Sequence, residues 1–397
     1  MSGQAILIAG GYGVVGSRIA ADLAPDHPGG VVISGRDAER ANATAAAIGH
    51  GVRGRVLDVT DPSSIAAALD DVALVVSCID QPRRGLLHAA IERGLLYTDI
   101  TPHLTELGRG AAYEQIDAAA KASGSRILLG AGLVPGISSV MVRAVANGLG
   151  GADTIETSLL LSAADVTGPA SFDYFLQELT MPFDVHIDGA DRPAHAFSDP
   201  RLVDFPAPIG PRHAYLFPFS DQVLYPRTMG AGTVLSRLAL DPPRLARLLR
   251  LLVLMRAARV VARPGIRRML ARRRRDRAPR GDAHFALRVD VTRNGEASYA
   301  TLVGGAQANA AAAGVAGLVR SLLDGEVAEP GAWMPEQVID PARFFSRLAE
   351  RGVNVALASG SARRGQDARP RSNPAHPGGR SRVGCPHEEF LGHDQHV

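Results

Sequence analysis

The segment AILIAGGYGVVG, residues 5 to 16, leaves little freedom to whatever fold follows it. Ala5 to Ala9 is apolar without alternation, as in a strand buried on both faces within a parallel sheet. Glycines follow at once. Gly11, Gly13 and Gly16 satisfy G-x-G-x-x-G, and Gly10, Gly13 and Gly16 satisfy G-x-x-G-x-x-G. Ser17 to Leu23 then reads as a helix, with Val14, Val15, Ile19 and Leu23 able to face a sheet. Strand, glycines and helix in this order form the context in which such spacing holds a dinucleotide. One glycine permits the tight turn, one leaves room for a pyrophosphate, and one lets helix and strand approach closely. The helix end adds free N–H groups and a positive dipole. Gly10, Gly11, Tyr12, Gly13, Val14, Val15 and Gly16 are therefore candidate cofactor contacts, and which glycine takes which part stays open. The competing reading is a packed turn that holds no ligand.

The end of the next strand selects the nucleotide. Val31 to Ser34 is apolar and runs into Ser34, Gly35 and Arg36. An acidic residue at this place binds a ribose 2′-hydroxyl, whereas an arginine accommodates a 2′-phosphate through its bidentate fork. Ser34, Gly35 and Arg36 thus point to NADP(H), with Asp37, one residue on, as the competing ribose partner. A short strand over 53–59 ends at Asp58 and Val59, where the adenine would lie, and Asp61 caps the following helix. VALVVSCID, residues 72 to 80, is another apolar strand. Ligands gather at the carboxyl ends of such strands, which places Ser77, Cys78, Ile79 and Pro82 by the nicotinamide ribose. Cys78 reads equally well as a small buried hydrophobe.

LLYTDIT, residues 95 to 101, supplies the proton-handling candidates Asp99, Tyr97 and His103. Asp99 leads because a carboxylate at a strand's end can reach a bound amine or imine; its alternative is to brace the turn beyond the strand. Strand Ile127 to Leu129 enters a second glycine-rich turn, and Val134 to Leu149 begins a helix. Strands alternating with helices over the first 150 residues argue a Rossmann-type, doubly wound parallel sheet of the α/β class.

AGGYGVVG, SGRDAERA, VVSCIDQP, LYTDIT and GAGLVPGISS, in that order, resemble the NADP-binding domain of the saccharopine dehydrogenase-like oxidoreductases. GGAQANAAAAGVAGLVRSLLDGE and WMPEQVIDPARFFSRLAERGVNV are similar to that family's closing segments, and the middle third resembles it least. The resemblance implies a Rossmann domain, a second α+β domain inserted before the final helices, and nicotinamide-dependent chemistry at a C–N or, in some members, a C=C bond. It does not carry saccharopine over as the substrate. The organisation expected is an NADP-binding domain over 1–135, an α+β substrate and dimerisation domain over 136–305, helices over 306–357 returning to the first domain, and a disordered basic tail over 358–397.

In the second part, strands over 153–165 and around Asp188-Gly189, with a hairpin turning at Asn294-Gly295, predict a mostly antiparallel sheet. Arg227 in LYPRTMG is the candidate for holding a substrate carboxylate. Residues 241–280 place Leu245, Leu248, Leu249, Leu252 and Met255 at helical spacing among arginines. Arginines and Pro264 exclude a membrane span; the segment reads as a surface helix, a lid over an acidic or acyl substrate, or a helix on anionic lipid. Nucleic acid fits poorly, since interleaved aromatics are missing. Net charge is only +3, and Cys78 and Cys385 build neither a disulfide framework nor a zinc site. His387, His393 and His396 match no zinc spacing, so no metal is expected. A strand at residue 5 leaves no room for a secretory signal, so the cytoplasm is expected.

These readings converge on an NADP-dependent oxidoreductase, expected as a homodimer acting on a small molecule. The leading substrate class is an imine or amino-acid-like compound. The alternatives are an enoyl or ketone group on a lipid or polyketide chain, and a protein that binds NADP without catalysis.

Overall fold

The computed structural model describes residues 5–81, 83–100, 111–165, 175, 178–255, 265–266 and 282–360. Its first sheet grows from the apolar runs. β1 (Ala5–Ala9) and β2 (Val31–Gly35) are buried along their whole length. A strand paired on both edges and covered on both faces offers no place for an exposed polar side chain. With β3 (Arg53–Val56), β4 (Val72–Ser77), β5 (Leu96–Asp99), β6 (Arg126–Leu128) and a late strand, β15 (Gly331–Trp333), they form seven strands in the order β15-β6-β5-β4-β1-β2-β3. Every pair is parallel. The order reverses between β1 and β4, and in open α/β sheets that is where ligands bind, beyond the carboxyl ends of the strands.

Helices α1 (Val14–Leu23), α2 (Ala38–Ile48), α3 (Pro62–Ala68), α4 (Gly85–Glu92) and α5 (Ala112–Ser123) make the crossovers. The Asp37 carboxylate accepts the Arg40 N–H at 3.0 Å and Asp61 accepts that of Ser63 at 2.9 Å, capping α2 and α3. At the outer strand β3, Arg53 and Arg55 pair with Asp71 at 3.3 and 2.7 Å. Charge there discourages pairing with another chain.

The second sheet has nine strands and is mixed. It contains β7 (Thr154–Ser162), β8 (Phe183–Ile187), β9 (Ala190–Ala194), β10 (Arg201–Phe205), β11 (Gly210–Leu216), β12 (Thr233–Asp241), β13 (Phe285–Arg293), β14 (Glu296–Gly304) and β16 (Val355–Gly360). The β7–β12 pair is parallel and the other pairs are antiparallel. The β13–β14 hairpin turns at Asn294 and Gly295, whose φ values of 50° and 82° are the two positive angles that a two-residue turn of this hand requires. Composition predicts a tail from residue 358, but Ala358, Ser359 and Gly360 instead finish β16 and pair with β14. The open edge of β14 supplies backbone hydrogen bonds that composition does not reveal.

Both sheets lie in one compact unit, residues 1–362. Helix α6 (Ile137–Leu149) leaves β6 and lies on β13 and β14. α7 (Asp221–Thr228) and α8 (Pro243–Leu254) flank β12 in sequence, and α9 (Gln307–Leu323) packs on α1. The small residues of α9 serve this close packing: a side chain at Gly314 would strike Ile137, and one at Gly317 would meet the Phe344 ring. Arg18 donates to the Asn309 side chain at 2.6 Å, and Arg320 and Arg351 each reach Asp22 at 2.8 Å, tying the α9 region to α1. Two short helices, α10 (Pro335–Val338) and α11 (Pro341–Ala349), follow β15.

Candidate cofactor and catalytic site

The β1–α1 turn shows what each glycine does. Gly10 has a φ of 78°, and a side chain on it would meet Ile79, so Gly10 makes the turn and Ile79 packs against it. A side chain on Gly16 would run into the Gly10 carbonyl and the Gly11 backbone, so Gly16 sets the close approach of helix and strand. Gly13 caps α1 in extended conformation, and a Cβ there would touch nothing within 4 Å except the Gly10 carbonyl at 3.1 Å. Space therefore opens beside the helix end, where backbone N–H groups are presented without a side-chain cap. The G-x-x-G-x-x-G spacing is the one whose positions carry these roles. Gly11 packs against Ile33 instead.

Three elements are fastened together at the end of β2. The Tyr12 ring lies where a side chain on Gly35 would be, its hydroxyl accepts the Asp37 N–H at 3.4 Å, and the Arg40 guanidinium sits 4.6 Å above its centre. Arg36 is exposed beside them. Asp37 Oδ1 is engaged in capping α2. Asp58 accepts the Thr60 N–H and O–H at 2.9 and 2.7 Å; these bonds, and after them the Arg36 charge, hold its carboxyl below the usual range. Two guanidiniums, those of Arg36 and Arg40, thus follow the carboxyl end of β2. Arg40 escapes a motif search, although its position four residues after Arg36 is a readable signal. Ser34 corrects an expectation. Its side chain is fully buried and donates to the Ile8 carbonyl at 3.2 Å, while its own carbonyl accepts the Gly10 and Gly11 N–H groups at 2.8 and 3.1 Å. It shapes the turn and has no side-chain atom to offer a ligand. Val14 is exposed at the turn, and Val15 and Val59 are half-buried.

A buried polar chain crosses the ends of β4 and β5. Gln81 Oε1 accepts the Leu86 N–H at 3.0 Å, which fixes the amide so that Nε2 donates to Ser77 Oγ at 2.7 Å and to the Tyr97 hydroxyl at 3.1 Å. The Tyr97 proton then points to Asp99 Oδ2 at 3.4 Å, and Asp99 Oδ1 accepts the Gly130 N–H at 3.3 Å. Burial first, and the Asp99 charge second, push the Tyr97 hydroxyl well above its usual range and the Cys78 thiol up to about 12. Cys78 is accordingly a thiol and not a nucleophilic thiolate. Tyr97 is 1% exposed and Asp99 6%, and the Tyr97 hydroxyl is directed to Asp99. Sequence spacing brings Tyr97 and Asp99 to one face of β5, but Gln81 as the organiser goes unseen. Pro82 and His103 lie outside the described residues.

Arg227, on α7, forms a half-exposed ion pair with Glu114 and lies 5.5 Å over the Tyr113 ring. Near it lies a cluster that sequence reading passes over. Asp221, fully buried, accepts the Ser236 hydroxyl at 2.7 Å, and desolvation raises its carboxyl to about 6. Glu336 accepts Thr228 Oγ1 at 2.7 Å and is likewise raised by burial, while the Tyr225 hydroxyl lies 3.1 Å from Ser139 Oγ.

Residues 6–128 match the family described as the saccharopine dehydrogenase NADP binding domain. The amino-terminal third of the chain is thus an NADP-binding domain of the saccharopine dehydrogenase type, and the chain is read as an NAD(P)-dependent oxidoreductase. Its cofactor is NADP(H), and the open glycine turn and the paired arginines suit that nucleotide. Apo saccharopine dehydrogenase (L-Glu forming) from Saccharomyces cerevisiae shares the fold, with a TM-score of 0.64 and 15% identity, over 90% of this chain and 100% of that one. An NADPH-dependent quinone oxidoreductase from Escherichia coli aligns over 36% of this chain and 53% of its own, with 21% identity and a TM-score of 0.25, too low to carry an argument. No curated protein sequence matches the chain.

Proposed function

We propose that this oxidoreductase uses NADPH to reduce an enoyl or ketone group on a substrate with a substantial apolar chain. The observation that carries this reading is an apolar recess, while Arg227, the residue considered for an amino-acid carboxylate, is engaged in a surface ion pair with Glu114. A cavity of about 310 Å3 lined by Leu179, Met181, Phe197, Val253 and Leu254 gives the second half of the molecule an apolar recess of the size that small ligands occupy.

Bound at the β1–α1 turn, NADPH would supply the hydride, and the protein would supply position and charge. Gly13 and the first N–H groups of α1 would hold the pyrophosphate, and Arg36 with Arg40 would read the 2′-phosphate. Asp99, held from behind by Gln81 and Tyr97, is the group we assign to the proton. Asp99→Asn keeps the shape and removes the titrating group, so kcat falls about 10²- to 10⁴-fold while NADPH affinity holds. Unchanged turnover would move the proton elsewhere. Oxidation of NADPH by ketone- or enoyl-bearing acyl substrates, against imines formed from amino acids, decides the substrate class. Turnover of the imines alone would restore the amino-acid reading.

A further inference from the structure

Helix α8 is apolar on two sides. Ala246 is buried, and Leu245 and Leu249 pack on the core. The opposite face carries Leu248, Leu251, Leu254 and Met255, which are 52, 50, 68 and 59% exposed. A helix that needed only to cover the sheet would carry polar residues there. Arg244 and Arg247 share the exposed face at its amino-terminal end, while Arg250 lies 5.7 Å over the Tyr215 ring. Leu254 also lines the apolar cavity together with Met181, itself 57% exposed, so the stripe runs on into a recess. Between Asp241 and Asp276 the sequence holds twelve arginines and no acidic residue, although the whole chain is nearly balanced at +3. No helix among the described residues is long and apolar enough to cross a membrane.

We propose that the exposed face of α8 docks on an anionic phospholipid surface, its leucines entering the headgroup boundary and its arginines pairing with lipid phosphates. Charge decides the occupant. A second copy of this chain meeting the same face about a two-fold axis would set these arginines against each other. A nucleic acid would leave the leucine stripe in water. A bilayer with anionic lipid meets both the apolar and the cationic requirement at once. This inference rests on α8 and not on the substrate assigned above.

Co-sedimentation of the full chain with vesicles tests it, using phosphatidylcholine alone and phosphatidylcholine mixed with phosphatidylglycerol. Binding is expected on the mixed vesicles and not on the neutral ones, and it falls as salt shortens the screening length from about 10 Å at 0.1 M to about 3 Å at 1 M. Arg244→Ala with Arg247→Ala lowers partitioning about 25-fold, roughly fivefold or about 1 kcal/mol for each arginine. Leu248→Glu with Leu251→Glu abolishes binding. Retained NADPH affinity shows that each variant is folded, and the salt series on the wild type needs no variant. Equal binding to both vesicle types, or none to either, overturns the proposal. So does a protein dimer that the leucine variant dissolves, which would give the face to a second copy of the chain.

Discussion

Two turns of the first sheet have the same plan of strand, glycines and helix, and they do opposite things. Between β1 and α1 the space beside Gly13 is open and the helix end presents its N–H groups. Between β6 and α6, Gly136 folds back on Gly132 with a φ of 130°, and the Gly132 and Leu133 carbonyls accept the Ile137 and Ser138 N–H groups, both at 3.1 Å. The next hydroxyl, Ser139 Oγ, faces buried Tyr225. In the first turn Gly10, Gly11 and Gly13 spend their N–H groups on the Ser34 and Gly10 carbonyls, but the N–H groups that open α1 are not turned back on the loop and can receive a phosphate. The second turn spends its helix-end donors on itself. Glycine spacing marks a close backbone approach, and only the destination of the N–H groups tells whether a ligand or the protein is being approached.

The strongest way to break this contrast is to place a methyl group in each turn. Gly136→Ala puts a side chain into the Gly132 carbonyl at a backbone angle that only glycine adopts easily, and should cost more than about 3 kcal/mol in denaturant unfolding. Gly13→Ala should cost within about 1 kcal/mol, because its φ of −78° is ordinary, while weakening NADPH binding. Equal stability losses would erase the distinction.

The buried acids around Tyr225, which faces Ser139, also predict a pH signature. Burial raises Asp221 from 3.8 to about 6, so folding favours the protonated acid. Its contribution is intact below pH 3.8 and is lost as pH rises toward 6, by roughly 3 kcal/mol at most. Buried Glu336 acts in the same direction. Chemical denaturation of Asp221→Asn across this range should show a flatter profile than the wild type. An unchanged slope would mean that Asp221 does not titrate in this window.

The smallest effect belongs to the open turn. Arg40→Ala removes one guanidinium and its contact with Tyr12, and should weaken NADPH about five- to tenfold, about 1 kcal/mol, with NADH unaffected. Isothermal titration with both nucleotides checks this, and equal losses for the two would assign Arg40 to packing alone.

The first sheet is legible because Ala5 to Ala9, Val31 to Ser34 and Val72 to Ser77 are continuous apolar runs, and only strands buried on both faces can be written that way. β10 and β11 escape the reading, because residues 201–216 mix Arg201, Asp204, Arg212 and His213 with Pro206, Pro208 and Pro211. These strands are held by partners across the sheet more than by local pattern. Side-chain roles fail for the same reason of distance. Arg227 looks like a free cation until Glu114, 113 residues earlier, is found beside it, and nothing around Asp221 announces that Ser236 will enclose it. Ser34 stands at the right strand end, but its direction depends on the pleat and not on its chemistry.

Fluorescence titration of NADPH and NADH against the wild type, Gly13→Asp and Arg36→Ala tests the open turn most directly. The account predicts that the wild type prefers NADPH, that Arg36→Ala loses this preference by about 10- to 100-fold, and that Gly13→Asp binds neither nucleotide. Tight NADPH binding by Gly13→Asp, or an undiminished preference in Arg36→Ala, would contradict it.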